Sequence, residues 1–385
     1  MKKYTILGDL ITPAKVVRCG KGNYPVLSMT MHDGIVLQSD RFKKSLASAD
    51  QSDYKVVEYG KLVIGFPIDE GVLYIQKVAP EGIMSPAYST WDVDTTRINP
   101  DFLELCLHSP QSMQYYKDKL RSTTARRRSI PTADLLALRI RTPDMESQFE
   151  AVAVARKVDE MIAIRHAQAT LLDQLVKSRF IELFGDPVYN SNGLPTMKLC
   201  ELGSLDRGRS QHRPRNAPEL LNGPYPLIQT GEVASAGLYI TGYQNTYSEL
   251  GLRQSKMWKA GTLCITIAAN IAQTAILTFD ACFPDSVVGF IPNDAVSAIY
   301  MHYWFGFFQK ILEEQAPQVA QKNINLKILA DLDVMVPDQT QQEQFAAFVA
   351  QTDKSKYSSA ASIQVCRQAA NFLRQEWMTC QTSNS

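Results

Sequence analysis

The feature that most constrains this chain is a stretch of about forty residues, 144–184, with neither proline nor glycine. It opens with Pro143-Asp144-Met145-Glu146 and closes with Phe184-Gly185-Asp186-Pro187. Asp144, Glu146 and Glu150 occupy the first turns, where the helix dipole favours negative charge. Gly185 is placed to end a helix in a left-handed turn, and Pro187 cannot continue it. At 1.5 Å per residue the helix is roughly 60 Å long, whereas globular helices average about 11–12 residues. Its apolar positions follow a 3–4 spacing at Val154, Val158, Met161, Leu172 and Leu175, with Arg165 and Gln168 in the two intervening seats. Such a stripe requires a partner helix.

The other end of the chain supplies a candidate. Pro337-Asp338 opens a second long helix, predicted to run to about Cys380. Phe345, Val349, Thr352, Lys356, Ser359, Ile363, Cys366, Ala370, Leu373 and Trp377 keep a strict 4–3 alternation. Lys356 interrupts this stripe as Arg165 interrupts the first, and polar residues at such seats fix register at a cost in stability. Two surface helices, each packed on its own domain, would carry the same stripes. A two-helix coiled coil tying the middle of the chain to its end accounts for both at once.

A chain of 385 residues predicts two or three domains. Its 45% apolar and 21% charged residues are ordinary for a soluble globular protein. The formal net charge of +1 excludes a bulk polycation, so any contact with nucleic acid must come from local patches. Cys19, Cys106, Cys200, Cys264, Cys282, Cys366 and Cys380 are odd in number and form no C-x-x-C pair. That argues against a disulfide framework or zinc knuckle and fits a reducing cytoplasm. Met1-Lys2-Lys3-Tyr4 lacks the apolar run of a signal peptide. Residues 263–279 are uncharged but, with Asn270, Gln273 and three threonines, too short and polar for a membrane span. They read as strand, turn, strand.

Residues 1–142 and 187–336 follow one design twice. Tyr24-Pro25-Val26-Leu27 answers Tyr225-Pro226-Leu227-Ile228, Gly60-Lys61-Leu62-Val63 answers Gly261-Thr262-Leu263-Cys264, and Ser85 answers Ser286. Asp69-Glu70 lies between two β-rich runs where the second copy has residues 270–273. Each copy then has a helical stretch, residues 99–120 and 295–315. Each ends in a polar loop, a short apolar run and a Pro-Asp, over residues 130–143 and 324–337. Runs of β-branched and aromatic residues at 26–28, 62–66, 71–77, 227–230, 263–267 and 275–279, bounded by Gly, Pro, Asn and Asp, predict largely antiparallel curved sheets. The expected architecture is α+β: two similar mixed α/β domains joined by two long antiparallel helices forming a coiled coil. The two domains would then sit at opposite ends of a rod.

At this point the chain resembles a known family, the specificity subunits of type I restriction-modification systems. The resemblance is carried by Pro143-Asp144 with Gln148-Phe149, Leu175 and Ser178, then residues 180–187. Pro337-Asp338 with Glu343-Gln344-Phe345 and Phe348-Val349 repeats that opening. It implies a target-recognition domain at 1–142, a spacer helix at 143–186, a second target-recognition domain at 187–336 and a second spacer helix at 337–380. In that family each recognition domain reads one half of a split double-stranded DNA site, and the paired helices act as a ruler. The resemblance further implies a non-catalytic subunit that recruits two methyltransferase subunits and, through them, an endonuclease/translocase subunit. An adaptor of another methylation-linked defence system would share this architecture.

A search for reactive centres returns only decoys. Asp186-Pro187-Val188-Tyr189 is similar to the Asp/Asn-Pro-Pro-Tyr of amino-methyltransferases, but the second proline is missing and no glycine-rich cofactor loop precedes it. Asn99-Pro100-Asp101-Phe102 reads as a helix N-terminus with Pro near its first position. His32, His108, His166, His212 and His302 are scattered, without metal spacing. No cofactor, metal site or catalytic residue is expected. The basic residues are more informative. Lys117, Lys119, Arg121, Arg126, Arg127 and Arg128 lie within twelve residues around Ser122-Thr123-Thr124, and Gln321, Lys322 and Asn323 hold the equivalent place in the second copy. Arg207, Arg209, Arg213 and Arg215, with Gln211 and His212 interleaved, form a second cluster; Arg253, Gln254 and Lys256 are weaker candidates. Arg, Gln and Asn suit bidentate base readout, while Lys, Ser and Thr hold phosphates. A solvated charged loop would look the same in either cluster. The first long helix carries eight acidic residues against five basic ones between 143 and 187, a poor DNA-facing surface. An enzyme in its own right and a protein-binding assembly scaffold are the rival readings.

Overall fold

A computed structural model describes residues 4–31, 33–41, 51–120, 128–268, 271–315, 324 and 326–378, with backbone alone at 308, 310–315 and 372–378. The chain divides into two compact units: Met1–His166 with Ala360–Ser385, and Ala167–Ser359.

In unit 1 the first strand, Tyr4–Ile6, pairs antiparallel with Arg139–Arg141, which closes the domain just before the first long helix. A four-stranded antiparallel sheet runs in the order Ile11–Pro13, Ser89–Val93, Leu62–Ile64, Leu73–Ile75. A three-stranded sheet of Val17–Arg18, Lys55–Glu58 and Glu81–Met84 adjoins a hairpin of Leu27–Met29 and Ile35–Leu37. The main core gathers Leu7, Leu62, Leu73, Phe102, Leu103, Leu107, Tyr116 and Ile140, all fully buried. The helical stretch expected over residues 99–120 is two helices, Pro100–Leu107 and Pro110–Lys119. The break has a local cause: Pro110 cannot lie inside a helix, and the Ser109 hydroxyl caps the new one by accepting from Ser112 N–H at 3.2 Å. Asn99 caps the first in the expected way, accepting from Phe102 N–H at 3.1 Å.

Unit 2 repeats the plan. Thr196–Lys198 pairs with Asp333–Met335. The main sheet runs Gly203–Arg207, Val287–Pro292, Leu263–Thr266, Thr274–Leu277, the same order as its counterpart, with Tyr239–Ile240 added in parallel at one edge. The uncharged stretch is thus the expected strand–turn–strand. A second sheet, in the order Asn245–Tyr247, Leu221–Leu227, Ala281–Cys282, Met257–Trp258, is the larger elaboration of this copy. One helix, Ala298–Gln315, replaces the broken pair of unit 1. No helix among the described residues is long and apolar enough to cross a membrane.

One buried glutamine recurs in each unit. Gln148 accepts from Asn99 N–H at 2.8 Å and donates to the carbonyls of Arg97 and Pro143. Gln342 accepts from Ser297 N–H at 2.8 Å and donates to the carbonyls of Ala295 and Pro337. Each follows its Pro-Asp by the same interval, so Gln342 is the structural counterpart of Gln148. Each side chain ties the start of a long helix to the helix of the preceding α/β domain and satisfies three backbone groups that burial would otherwise strand.

The long helices are Met145–Phe184 and Gln339–Met378. Asp144 caps the first, accepting from Ser147 N–H at 2.9 Å, and Gly185 ends it at φ 80°. Within unit 2 the two run antiparallel. Phe180 and Phe184 of the first lie 5.4 and 5.5 Å, ring centre to ring centre, from Phe345 of the second. Further back along the first helix, Asp173 pairs with Lys356 at 2.6 Å. Tyr300 stacks on Phe180 at 5.4 Å, so the mixed α/β domain and both helices share one core. Along the second helix Phe345, Val349, Thr352, Ser359 and Ile363 are buried and Lys356, Cys366 and Ala370 half-buried. Leu373 and Trp377 fall where only backbone is described. Buried Thr352 and Ser359 satisfy their hydroxyls on the carbonyls of Phe348 and Ser355 one turn back.

The first helix corrects the expectation at alternate seats. Val158, Arg165 and Leu172 are half-buried as expected, but Val154, Met161 and Leu175 are 37%, 50% and 50% exposed. Their places, and that of the exposed Gln168, belong to Ala155, Ile162, Ala169 and Val176, one residue on. Apolar content alone favours the larger residues. That preference fails only at Ala155, in place of Val154; Ile162 and Val176 are as apolar as the residues beside them, and Ala169 is more apolar than Gln168.

Candidate nucleic-acid interface

The basic cluster of unit 2 grows directly out of its main sheet. Gly203–Arg207 pairs with Val287–Pro292 along its whole length. Past its end, Gly208 N–H still donates to the Val287 carbonyl at 2.9 Å. A Cβ at Gly208 would overlap the carbonyl oxygens of Phe283 and Pro284, so only glycine lets the chain lie this close. Burial then alternates: Arg207, Arg209 and Gln211 are exposed, Gly208 and Ser210 buried. An extended backbone sends alternate side chains to opposite faces, so these three form one outward row.

Two devices fasten this segment. On one side Gln254 accepts with Oε1 from the backbone N–H groups of Gln211 and His212, at 2.6 and 3.1 Å. Ser255 Oγ donates to the Arg209 carbonyl at 2.9 Å. Lys256 donates to Asp206 at 2.8 Å, which holds that carboxyl below the usual range. The same ammonium lies 3.9 Å over the ring of Trp258, itself stacked on Phe283. On the other side stands Asp285. Its backbone carbonyl accepts from Arg207 Nε at 3.0 Å, and its carboxylate takes Arg215 at 2.7 Å and faces Arg213 at 3.8 Å. Arg213 also donates to the His212 carbonyl at 2.8 Å.

In unit 1, Lys117 is exposed, while Lys119 lies 3.9 Å from Asp134 and over the ring of Tyr115. Arg128 forks onto the Asp69 carboxylate at 2.8 Å and onto Glu70, and its carbonyl accepts from Ile68 N–H. It thus binds the polar loop to the turn between two strands. Arg121, Arg126, Arg127, Gln321, Lys322 and Asn323 lie outside the described residues. At the place where Arg207 leaves the sheet in unit 2, unit 1 presents Lys15, Val16, Val17 and Arg18, all exposed, with Arg18 paired to Asp53 at 2.7 Å. Sequence reasoning missed Lys15 and Arg18, because two bases among apolar neighbours make no dense run; only their position after Ile11–Pro13 marks them. It also missed Asp285, whose role depends on a fold that brings it beside residues some seventy positions earlier.

Among the described residues no group of three or more His, Cys, Asp or Glu could hold a metal. His302 borders a cavity of about 500 Å³ in unit 2 with Asp173, Asp353, Lys356 and Tyr303. Burial pushes its pKa down to about 4, and one ring nitrogen meets the Thr274 hydroxyl at 3.0 Å.

Comparison with known proteins places this geometry in context. Residues 194–364 match the family model described as "Type I restriction modification DNA specificity domain". A solved structure described as the "structural basis underlying complex assembly and conformational transition of the type I R-M system" superposes with a TM-score of 0.64. The match has 15% identity and covers 97% of this chain and 96% of that one. The type I restriction-modification S subunit from M. genitalium superposes with a TM-score of 0.54 and 13% identity, over 99% of this chain and 97% of its own. At such identities the likeness is one of fold.

Proposed function

We propose that this chain, whose residues 194–364 match the type I restriction-modification DNA specificity domain, is a specificity subunit that reads a two-part sequence on double-stranded DNA and brings partner enzymes to it. The observation that carries this reading is the duplication. Two units with the same main-sheet order each lead into a forty-residue helix. Two similar but non-identical readers suit a target of two unlike halves. Specificity subunits of this family are non-catalytic, and the action of this chain is recognition. The row at Arg207, Arg209 and Gln211 enters the major groove from unit 2, with Lys117 and Lys119 among the phosphate-facing residues of unit 1. Salt-sensitive affinity comes from Lys and Arg on phosphates, and discrimination from bidentate side chains on base edges. The helices set the gap between half-sites, near one turn of the duplex or about 34–36 Å.

Partners dock elsewhere. Met161, Ile164, Leu171 and Leu175 of the first long helix are half or more exposed, on an element with more acids than bases. That combination suits protein and repels DNA. Two methyltransferase subunits bind there, and an endonuclease/translocase joins through them. Selection from a pool of random duplexes by the chain with its methyltransferase partner tests the reading. The expected yield is two enriched blocks separated by a fixed gap of unselected bases. A single contiguous block, or none, refutes it.

A further inference from the structure

The basic cluster of unit 2 divides into side chains that are held and side chains that are presented. Arg213 and Arg215 face the carboxylate of Asp285, and Arg207 is tethered to its carbonyl. Arg209 makes no hydrogen bond or ion pair among the described residues; the Asp206 carboxylate feels its charge only at longer range. The Gln211 side chain makes none either, although its backbone N–H is pinned by Gln254. Arg209 and Gln211 are exposed and follow one another on the same face, separated by the buried Ser210. The backbone beneath them is fixed at three points: Ser255 on the Arg209 carbonyl, and Gln254 on the N–H groups of Gln211 and His212. Two unengaged side chains on a pinned backbone keep their reach, and the backbone that carries them loses little further entropy on binding.

We infer that Arg209 and Gln211 are the specificity-determining residues of unit 2, Arg209 taking a guanine and Gln211 an adenine in the major groove, and that Gln254 is the positioning residue that sets their register. The inference rests on the DNA reading above and deepens it. Arg presents a fork that matches the two acceptors of guanine, and Gln pairs with the acceptor and donor of adenine. Residues two apart on an extended backbone are separated by about 6.5–7 Å. That is about two base-pair steps of 3.4 Å, so the two bases lie in one half-site. Arg213 and Arg215 share the single carboxylate of Asp285, so they support the loop and leave one net positive charge that adds long-range potential.

The test is selection from random duplexes by the full chain assembled with its methyltransferase partner, comparing wild type with R209A, R209K, Q211A, Q254A and Q254E. R209A and R209K should each lose preference at a single guanine, discrimination there falling about tenfold to a hundredfold. R209K separates readout from charge, because it keeps the phosphate-attracting ammonium and lacks the fork. Q211A should lose a single adenine in the same half-site. Q254A should blur both positions together, and Q254E, which retains an acceptor for the two backbone N–H groups, should restore them. The other half-site should not change in any variant. If wild type yields a two-part motif and R209K and Q211A yield the same motif unchanged, this inference is overturned while the DNA reading stands. If wild type yields no motif, both fall.

Discussion

At the scale of single residues, the informative groups are buried and polar. Gln342 serves Ser297 N–H and the carbonyls of Ala295 and Pro337 at once. Gln342→Leu leaves all three without a partner in a dry site, and each stranded group costs about 1–3 kcal/mol. A loss of at least about 2 kcal/mol in urea unfolding is expected; an unchanged midpoint would show that water reaches the site. His302 makes a pH-dependent prediction. Its folded pKa is about 4 against an ordinary value of 6.5. Between those values the unfolded chain holds the proton and the folded chain does not, so stability falls as pH drops from 6.5 to 4 and is flat above. The effect is on the order of 3 kcal/mol. His302→Gln should flatten that limb of a melting-temperature profile, and an identical limb in the variant would contradict the assignment.

At the scale of elements, the long helices show what patterning reveals and what it hides. The second helix keeps its polar seats Thr352, Lys356 and Ser359 buried or half-buried, because they are small or flexible enough to be accommodated. At the first helix the inner seats were not legible: Met161 and Ile162, like Leu175 and Val176, are both apolar, and composition cannot see which face a neighbour covers. The basic cluster at 207–215 was legible as charge density. The clamps by Gln254 and Asp285 were not, since their partners are backbone atoms or arginines some forty to eighty residues away. Lys356 was legible as a break in the stripe, and the structure supplies its partners, Asp173 at 2.6 Å and Asp353 at 3.4 Å. A half-buried ion pair contributes register more than stability. Lys356→Met should therefore leave the denaturation midpoint unchanged or raise it, while Lys356→Glu, facing two carboxylates, should lower it. A marked loss with methionine would mean that the pair itself stabilises the seam.

At the scale of the whole molecule, the account depends on a duplicated reader and a pair of long helices. The duplication was visible in short identities such as Tyr24-Pro25 and Tyr225-Pro226 and in the repeated Pro-Asp. The structure extends it to the shared main-sheet order and to the Gln148 and Gln342 clamps. The extra sheet of unit 2 and the broken helix pair of unit 1 show how far two copies diverge while keeping one frame. The central claim is that helix length fixes the distance between the two halves of the DNA target. Its most direct measurement is the gap in the selected motif after one heptad is removed from each long helix. Seven residues are about 10.5 Å of helix, or about three base pairs. The account predicts a gap shorter by about that amount with both half-sequences unchanged; a gap that stays the same would contradict it.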